Sequence, residues 1–275
     1  MGQFGIGQSV KRFEDVRLLR GEGRFHHDVN LPGQAHMVVV RSTHAHARIR
    51  SIDTAAAAAA PGVIAVFTGA DLTGLSTMKM TLKRKRPDGS PMWAPPHRGL
   101  TPDRARYVGD PLALVIAETA AEAADAAEAV RVDYEPLPSV TCTADAIGGA
   151  PVWDECPDNV SNLFEVGDKA ATDAAFATAA RVIKRRYVIT RVHAQYMEPR
   201  GALGVYDAGE DRYTLYADVQ YPHRVRNALA SNIFQVPEHQ IRVIVGDIGA
   251  PSAPRAGSIP SIASPCGRRA GCADP

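Results

Sequence analysis

The sequence predicts an α+β chain, on three observations. In the first 138 residues, two passages run strand–helix–strand and are joined by a polar, Pro-rich stretch. Beyond about residue 180, short β-branched and aromatic runs flank Asp207-Ala208-Gly209-Glu210, a hairpin turn signal. With 275 residues, the chain can form one large domain or two ordinary ones at roughly 100–200 residues each, and can bury a core without disulfides.

Each element follows from local chemistry. Gly21-Glu22-Gly23-Arg24-Phe25 is a turn into an extended stretch, and Ala35 to Val40 is a buried-strand run. Asp53 and Thr54 cap the six alanines that follow, a run of the strongest helix former, and Pro61-Gly62 ends that helix. Val63 to Phe67 is the next strand, and Met78 to Pro96 is a surface loop. Leu112 to Ala117 is apolar and strand-like; Thr119 caps an Ala/Glu helix to about Ala129, and Val130 to Tyr134 returns as a strand stopped by Pro136 and Pro138. Residues 139–160 form a connector with Gly148-Gly149. Ala180 to Thr190 is a long β-branched run, and Ala202 to Tyr206 with Arg212 to Ala217 makes a hairpin. Pro222 at the first helical position opens a helix to about Phe234, and Ile241 to Val245 is the last strand, leading to Gly246-Asp247-Ile248-Gly249.

Composition excludes several classes. With 31 Lys plus Arg against 30 Asp plus Glu, the surface lacks the basic excess expected of a nucleic-acid binder or an anionic-membrane binder. No apolar run approaches the roughly 20 residues that span a bilayer. The N-terminus lacks the basic and apolar regions of a secretory signal, and four cysteines are too few for a disulfide scaffold, so a cytoplasmic protein is expected. The last 26 residues differ from the rest: 18 are Ala, Pro, Ser or Gly, and none is aromatic, Leu, Val, Lys or Glu.

Most candidate sites carry little chemistry. Lys83-Arg84-Lys85-Arg86 is followed by Pro87-Asp88-Gly89 and reads as a solvated loop. His44 and His46, if on a strand, would share a face and could ligate zinc, but no third ligand is indicated nearby. His26 and His27 would point to opposite faces of a strand, and Cys266 and Cys272 are spaced too widely for a typical zinc pair. Gly21-x-Gly23 lacks the strand and helix of a dinucleotide fingerprint. Gln220 is more informative. It lies in Asp218-Val219-Gln220-Tyr221-Pro222-His223, where a strand gives way to a helix, and its amide is a neutral donor suited to an oxo or carbonyl group. Capping of the helix or bonding to a loop is the competing role.

Five segments in order carry a family resemblance. They are Arg17-Leu18-Leu19-Arg20-Gly21-Glu22-Gly23-Arg24-Phe25, Arg41-Ser42-Thr43-His44-Ala45-His46-Ala47-Arg48-Ile49 and Pro61-Gly62-Val63-Ile64-Ala65-Val66-Phe67-Thr68-Gly69-Ala70-Asp71, then Arg106-Tyr107-Val108-Gly109-Asp110-Pro111 and Val132-Asp133-Tyr134-Glu135-Pro136-Leu137-Pro138. Up to Gly249 the chain resembles the molybdopterin-binding large subunit of the xanthine dehydrogenase, aldehyde oxidase and carbon monoxide dehydrogenase family. The resemblance implies an N-terminal segment over 1–19, an α/β-hammerhead domain over 20–138, a connector over 139–160 and the start of the molybdenum-cofactor domain over 161–249. It implies that Gln220 approaches the apical oxo ligand of molybdenum, and that Gly246 to Gly249 leads into a cofactor loop lying against the metal. Met197-Glu198-Pro199-Arg200 matches a family landmark of mainly structural role. The implied cofactor is molybdopterin, in its cytosine dinucleotide form, with FAD on a medium partner subunit and [2Fe–2S] on a small one; no Cys spacing here suits iron–sulfur ligation. The substrate would be a small molecule: carbon monoxide, an aldehyde or an N-heterocycle.

After Gly249 the resemblance stops. The family continues Gly-x-Phe-Gly, whereas this chain has Ala250-Pro251-Ser252-Ala253. The glutamate that acts as the family's base has no counterpart here, so no catalytic residue and no protein metal ligand is assigned, and the chain is expected to be an inactive portion of a larger subunit. A non-enzymatic hammerhead interaction module is the alternative, and a zinc enzyme using His44 and His46 is a third reading. Residues 250–275 form an aberrant tail, expected to be disordered. A single-base deletion accounts for it: codons for Gly-Ala-Phe-Gly-Thr-Lys-Gly that lose one leading G can read Ala-Pro-Ser-Ala-Pro-Arg-Ala, the sequence of residues 250–256. Sequencing the gene and its downstream DNA is expected to show the family's continuation in a shifted frame; an unbroken frame with unrelated codons at this point would sink the deletion.

Overall fold

The computed structural model describes residues 11–72, 75–78, 84–189 and 197–249. A short helix α1 (Asp15–Leu19) opens the described chain, and Gly21, at φ 73°, turns it out of the helix. Strands β1 (His36–Arg41) and β2 (Ala47–Asp53) follow. The alanine run yields only one helical turn, α2 (Ala55–Ala58), shorter than the six alanines suggest. Its cap also differs: Asp53 Oδ1 accepts from the Ala55 N–H at 3.0 Å, while Thr54 makes no side-chain cap bond. Pro61 and the positive φ of Gly62 (71°) deliver the chain into β3 (Val63–Thr68).

Strand β4 (Arg104–Ala105) and strand β5 (Pro111–Ala117) lead to helix α3 (Ala120–Ala129) and strand β6 (Arg131–Pro136). Thr119 caps α3 as expected. Its Oγ1 accepts from the Glu122 N–H at 3.2 Å, and Glu122 Oε2 accepts the Thr119 N–H at 3.1 Å, so two otherwise orphan donors are satisfied reciprocally. Glu122 also lies over Gly62, where any Cβ would collide with its carboxylate, and the Gly62 carbonyl accepts from the Glu118 N–H at 2.9 Å. Pro136 is the last residue of β6 rather than a stop before it.

Two units are compact. One takes residues 35–72, 75–78, 84–189 and 232–234; the other takes 11–34, 197–231 and 235–249. The first holds two antiparallel sheets of three strands, ordered β1-β5-β3 and β4-β2-β6. β5 is the central strand of its sheet, and its Leu112 to Val115 are all buried, as the unbroken apolar run requires. The core here is built from small side chains: Ala57, Ala113, Val115, Ala126 and Val130, with Val40, Ile52, Val63, Val66 and Val132 packed around them. Small residues let α3 approach the sheet closely, leaving no room for longer ones.

The same unit contains the basic loop and the connector. Arg84 and Lys85 are exposed, as a solvated loop requires, with Arg84 over the Phe164 ring at 4.5 Å; Arg86 is partly buried and hydrogen-bonds to Asp158 Oδ2 (3.3 Å) and to the Val160 carbonyl at the connector's end. Lys83 lies outside the described residues. Asn159 organises the connector from a left-handed backbone (φ 56°): its Nδ2 donates to the carbonyls of Ala146 (2.9 Å) and Ala150 (3.0 Å), and its Oδ1 accepts from the Val152 N–H (2.9 Å).

Helix α4 (Lys169–Thr178) has no buried residue. Its order comes from local bonds, the Asp168 cap to the Ala171 N–H (2.9 Å) and the Lys169–Asp173 pair (2.6 Å). In the β-branched run that follows, residues 180–189 pair in no strand, although β-branched residues favour one. Every residue of it is exposed, with Ile183 at 80% and Ile189 at 93%, so propensity has no partner strand to act on among the described residues. Thr190 lies outside them.

In the second unit, β7 (Ala202–Asp207) and β8 (Arg212–Ala217) form the expected hairpin, with Tyr206 opposite Tyr213 at 4.7 Å between ring centroids. Asp207 Oδ1 closes the turn by accepting the N–H groups of Gly209 (2.8 Å) and Glu210 (3.1 Å). Pro222 starts helix α5 (Pro222–Ala228) as expected, but the helix widens to a π-turn over Leu229–Phe234 and stops at Gln235 in the left-handed region (φ 55°). Strand β9 (Ile241–Ile244) then pairs parallel to β8, giving the order β7-β8-β9. No helix among the described residues is long and apolar enough to cross a membrane.

The small-residue core makes a direct prediction. Ala126→Leu inserts three extra carbons between α3 and the sheet, and is expected to destabilise the unit by about 1–3 kcal/mol in urea unfolding. An unchanged midpoint would mean that the interface has spare volume.

Candidate functional site

The second unit brings residues from its two sequence extremes together just after β9. Arg17 lies within α1, and its guanidinium forks onto Asp247: Nη1 to Oδ2 at 2.6 Å and Nη2 to Oδ1 at 2.7 Å. Asp247 Oδ2 also accepts the Arg24 N–H at 2.6 Å, and the Asp247 N–H donates to the Arg24 carbonyl at 2.8 Å. The backbone beyond a strand end has no ladder partner, and these bonds supply one. Gly246 is required by this approach, since a Cβ there would lie 2.6 Å from the Arg24 carbonyl oxygen.

Two residues further on, the Gly249 N–H donates to Glu198 Oε2 at 2.6 Å. A Cβ on Gly249 would lie 2.8 Å from the Glu198 Cβ, so this position also excludes a side chain. The other oxygen, Glu198 Oε1, lies 3.1 Å from His26 Nδ1. His26 and Glu198 are both buried, as is Asp218, the first residue after β8. The donor atoms of the three lie within 4.8 Å of one another.

The two sequence-assigned site residues sit differently. Gly249 is a pinned backbone donor in this network. Gln220 is partly buried at the bend between β8 and α5, two residues beyond Asp218. The structure attaches His26, Glu198 and Asp218 to the region, and sequence reasoning named none of them as a site. His26 is not on a strand: it lies in a 3₁₀ turn, His26–Asp28, closed by the Phe25 N–H on Asp28 Oδ2 at 2.9 Å, and the turn buries His26 while exposing His27. No spacing rule could have paired residues 172 positions apart. The one available signal was the acidic residue of Met197-Glu198-Pro199-Arg200.

His44 and His46 do not form a chelate. Neither is on a strand; His46 Nδ1 is 2.7 Å from the Pro138 carbonyl oxygen, and the His44 ring stacks on Tyr134 at 4.4 Å. Cys266, Cys272 and the rest of the tail lie outside the described residues. A cavity of about 370 Å³ near α5 and β9 is lined by Arg212, His223, Arg226, Glu238 and Arg242 among others. Arg226 is paired with Glu238 and Arg212 with Glu210, each at 2.8 Å, so the positive charge there is largely spoken for.

Similarity to known proteins covers nearly all of the described chain. Residues 20–138 match the aldehyde oxidase and xanthine dehydrogenase a/b hammerhead domain, and residues 152–250 match the molybdopterin cofactor-binding domain. The carbon monoxide dehydrogenase large chain of Afipia carboxidovorans is 37% identical over 259 residues, covering 89% of this chain and 31% of its own length. The nicotine 6-hydroxylase large subunit of Paenarthrobacter nicotinovorans is 38% identical, covering 89% of this chain and 29% of its own. Among solved structures, quinoline 2-oxidoreductase of Pseudomonas putida 86 superposes with a TM-score of 0.86 at 36% identity, over 95% of this chain and 33% of that one. The chain therefore spans about a third of the length of these relatives.

The Asp247 clamp has a pH signature. The Arg17 fork, followed by the Arg24 N–H, holds the Asp247 carboxyl down at about 2, from an ordinary value near 3.8. A carboxyl lowered in the folded state stabilises the fold fully above the unfolded value, and that contribution fades as pH falls through the folded one. Asp247→Asn is therefore expected to melt below the wild type at neutral pH, with the gap closing between about pH 4 and pH 2. A gap independent of pH over that window would refute the clamp.

Proposed function

Because the chain belongs to the large-subunit family of xanthine dehydrogenase, aldehyde oxidase and carbon monoxide dehydrogenase, we propose that it is the N-terminal portion of a molybdenum hydroxylase large subunit. In the intact enzyme the reaction is hydroxylation of a carbon centre in an aldehyde, an N-heterocycle or carbon monoxide, with oxygen from water. Bound molybdopterin, in its cytosine dinucleotide form, supplies the redox chemistry, and the protein binds and orients it.

One observation carries this reading: residues 152–250 match the molybdopterin cofactor-binding domain, and their last stretch, Gly246 to Gly249, is held at the exit of β9 by Arg17–Asp247 and Glu198. The Gln220 amide adds a neutral donor for an oxo group, placed where a strand passes into a helix. A side-chain amide such as that of Gln220 suits a cofactor held by hydrogen bonds rather than by protein–metal bonds. Gln220 and Gly249 are thus the cofactor-binding residues in this proposal. The partner subunits are a medium one with FAD and a small one with [2Fe–2S], in keeping with relatives named as large chains and large subunits.

The 275-residue chain is by itself inactive in this proposal, since it spans about a third of its relatives and carries no assigned base. The exposed Val182, Ile183, Tyr187, Val188 and Ile189, interleaved with basic residues, are in keeping with a surface that further chain would cover. Chain purified from a host that makes molybdopterin is expected to contain far less than one molybdenum per chain and to show no dehydrogenase activity with carbon monoxide, aldehydes or N-heterocycles. One molybdenum per chain together with turnover would overturn this. The interaction-module alternative draws on the self-contained Ala/Val core of the unit holding β1 to β6; a stable, monomeric, cofactor-free chain that captures a specific partner would favour it.

A further inference from the structure

We propose that residues 181–186 are a processing site for a protease that selects Arg or Lys, and that the cut gives a two-chain form held together by residues 11–34. Arg181-Val182-Ile183-Lys184-Arg185-Arg186 carries four basic residues in six and no acidic one. Every residue from 163 to 189 is exposed, and residues 181–189 belong to no helix or strand. Among the described residues, none from 180 to 189 takes part in a backbone hydrogen bond.

Cleavage demands these features. A protease takes its substrate as an added strand, through backbone donors and acceptors that must be free, and it acts on the fraction of chain that is locally open. Other basic residues are held. Arg48 and Arg50 lie on β2, which pairs with β6, and Arg104 forks onto Asp154. The Arg86 N–H donates to the Ser90 carbonyl at 2.8 Å, and the Arg20 N–H to the Arg17 carbonyl at 3.2 Å. Each must open before it can be cut, whereas the stretch at 181–186 is open already. Helix α4, just before it, offers no hold: it has no buried residue, and isolated helices of this length are marginal in water. Val182 and Ile183 favour the extended form that a protease cleft selects. The step is a hydrolysis. Water adds across the peptide bond after the basic residue; the C–N bond breaks, the carbonyl carbon becomes a carboxylate and the nitrogen leaves as a new amino terminus. Further chain over this stretch, as the proposed larger subunit would bring, closes the site, so the cut singles out chain that lacks it.

The cut does not free the pieces. It leaves residues 11–34 on one fragment and 197–249 on the other, and both stretches belong to one compact unit. Arg17 forks onto Asp247 at 2.6 and 2.7 Å, Arg24 and Asp247 exchange two further bonds, and His26 Nδ1 faces Glu198 Oε1 at 3.1 Å. The His26 ring also packs directly on Gly201, where a Cβ would collide with its Nε2. All of these join the two fragments without the peptide bonds at 181–186.

The test treats the full chain with a trace of trypsin and, in parallel, with a protease of broad specificity, and locates the cuts by intact-mass spectrometry. The first internal trypsin cut is expected after Arg181, Lys184, Arg185 or Arg186, at least about ten-fold faster than after any Lys or Arg between residues 20 and 178. The broad-specificity protease is expected to cut first within 163–189; a first internal cut elsewhere by either protease would overturn the site. Replacing Arg181, Lys184, Arg185 and Arg186 together by Gln is expected to slow the trypsin cut about ten-fold or more and to leave the broad-specificity cut unchanged. An unchanged trypsin rate would overturn the site as well. After the cut, gel filtration at neutral pH is expected to elute both fragments together. Asp247→Asn combined with Glu198→Gln, with its fold checked by near-UV circular dichroism before cutting, is expected to let them part. Wild-type fragments that separate, or variant fragments that stay together, would overturn the hold by residues 11–34.

Discussion

The carboxylate of Glu198 joins three parts of the chain that are remote in sequence. One oxygen faces His26 and the other holds the Gly249 N–H. Neither bond belongs to a helix or a strand ladder, and that is their importance. Past Ile244 the backbone leaves β9 and its polar groups need partners from elsewhere. Glu198 takes the Gly249 N–H, the Arg24 carbonyl takes the Asp247 N–H, and the Arg17 fork holds the Asp247 carboxylate in place. Hydrogen bonds to charged groups contribute about 1.5–3 kcal/mol where neutral ones contribute about 1, so ions are the economical way to hold a short irregular run.

Elements that depend on their own neighbours were legible in the sequence. Thr119 with Glu122 announces a capping box, Pro222 marks a first helical position, and the apolar run of β5 states that both its faces are covered. Elements that depend on a distant partner were not. Residues 180–189 are rich in β-branched side chains but pair with no strand among the described residues, and α2 is cut short by Pro61 despite its alanines. The π-turn at Leu229–Phe234 has no sequence marker at all. For the site, Gln220 and Gly249 were reached through a family resemblance. His26 escaped because a turn closed by Asp28, rather than a strand, sets which of the two histidines is buried.

Sequence distance also explains the division of labour at the site. Arg17, Arg24 and His26 lie near the start of the chain, yet they brace residues 246–249. Closing such a long loop costs conformational entropy that local contacts do not, although the cost grows only slowly with length. Several bonds made in one place offset it together: the guanidinium fork, the paired Arg24 and Asp247 backbones, and the carboxylate of Glu198. The glycines at 246 and 249 follow from this bracing as much as from any ligand, since each stands where a neighbour already occupies the place of a side chain.

Gly62 and Glu122 share a similar crowding in the other unit. The glutamate that completes the α3 cap fills the space where a side chain at residue 62 would stand, and Gly62 has a backbone angle that favours glycine in any case. The two positions are thus bound by a common volume. In sequences descended from this one, a shorter residue at 122 would remove the collision, though the turn conformation would still resist a side chain at 62. A side chain at 62 would instead push the Glu122 carboxylate off the Thr119 N–H, so one substitution there would both strain the turn and open the α3 cap.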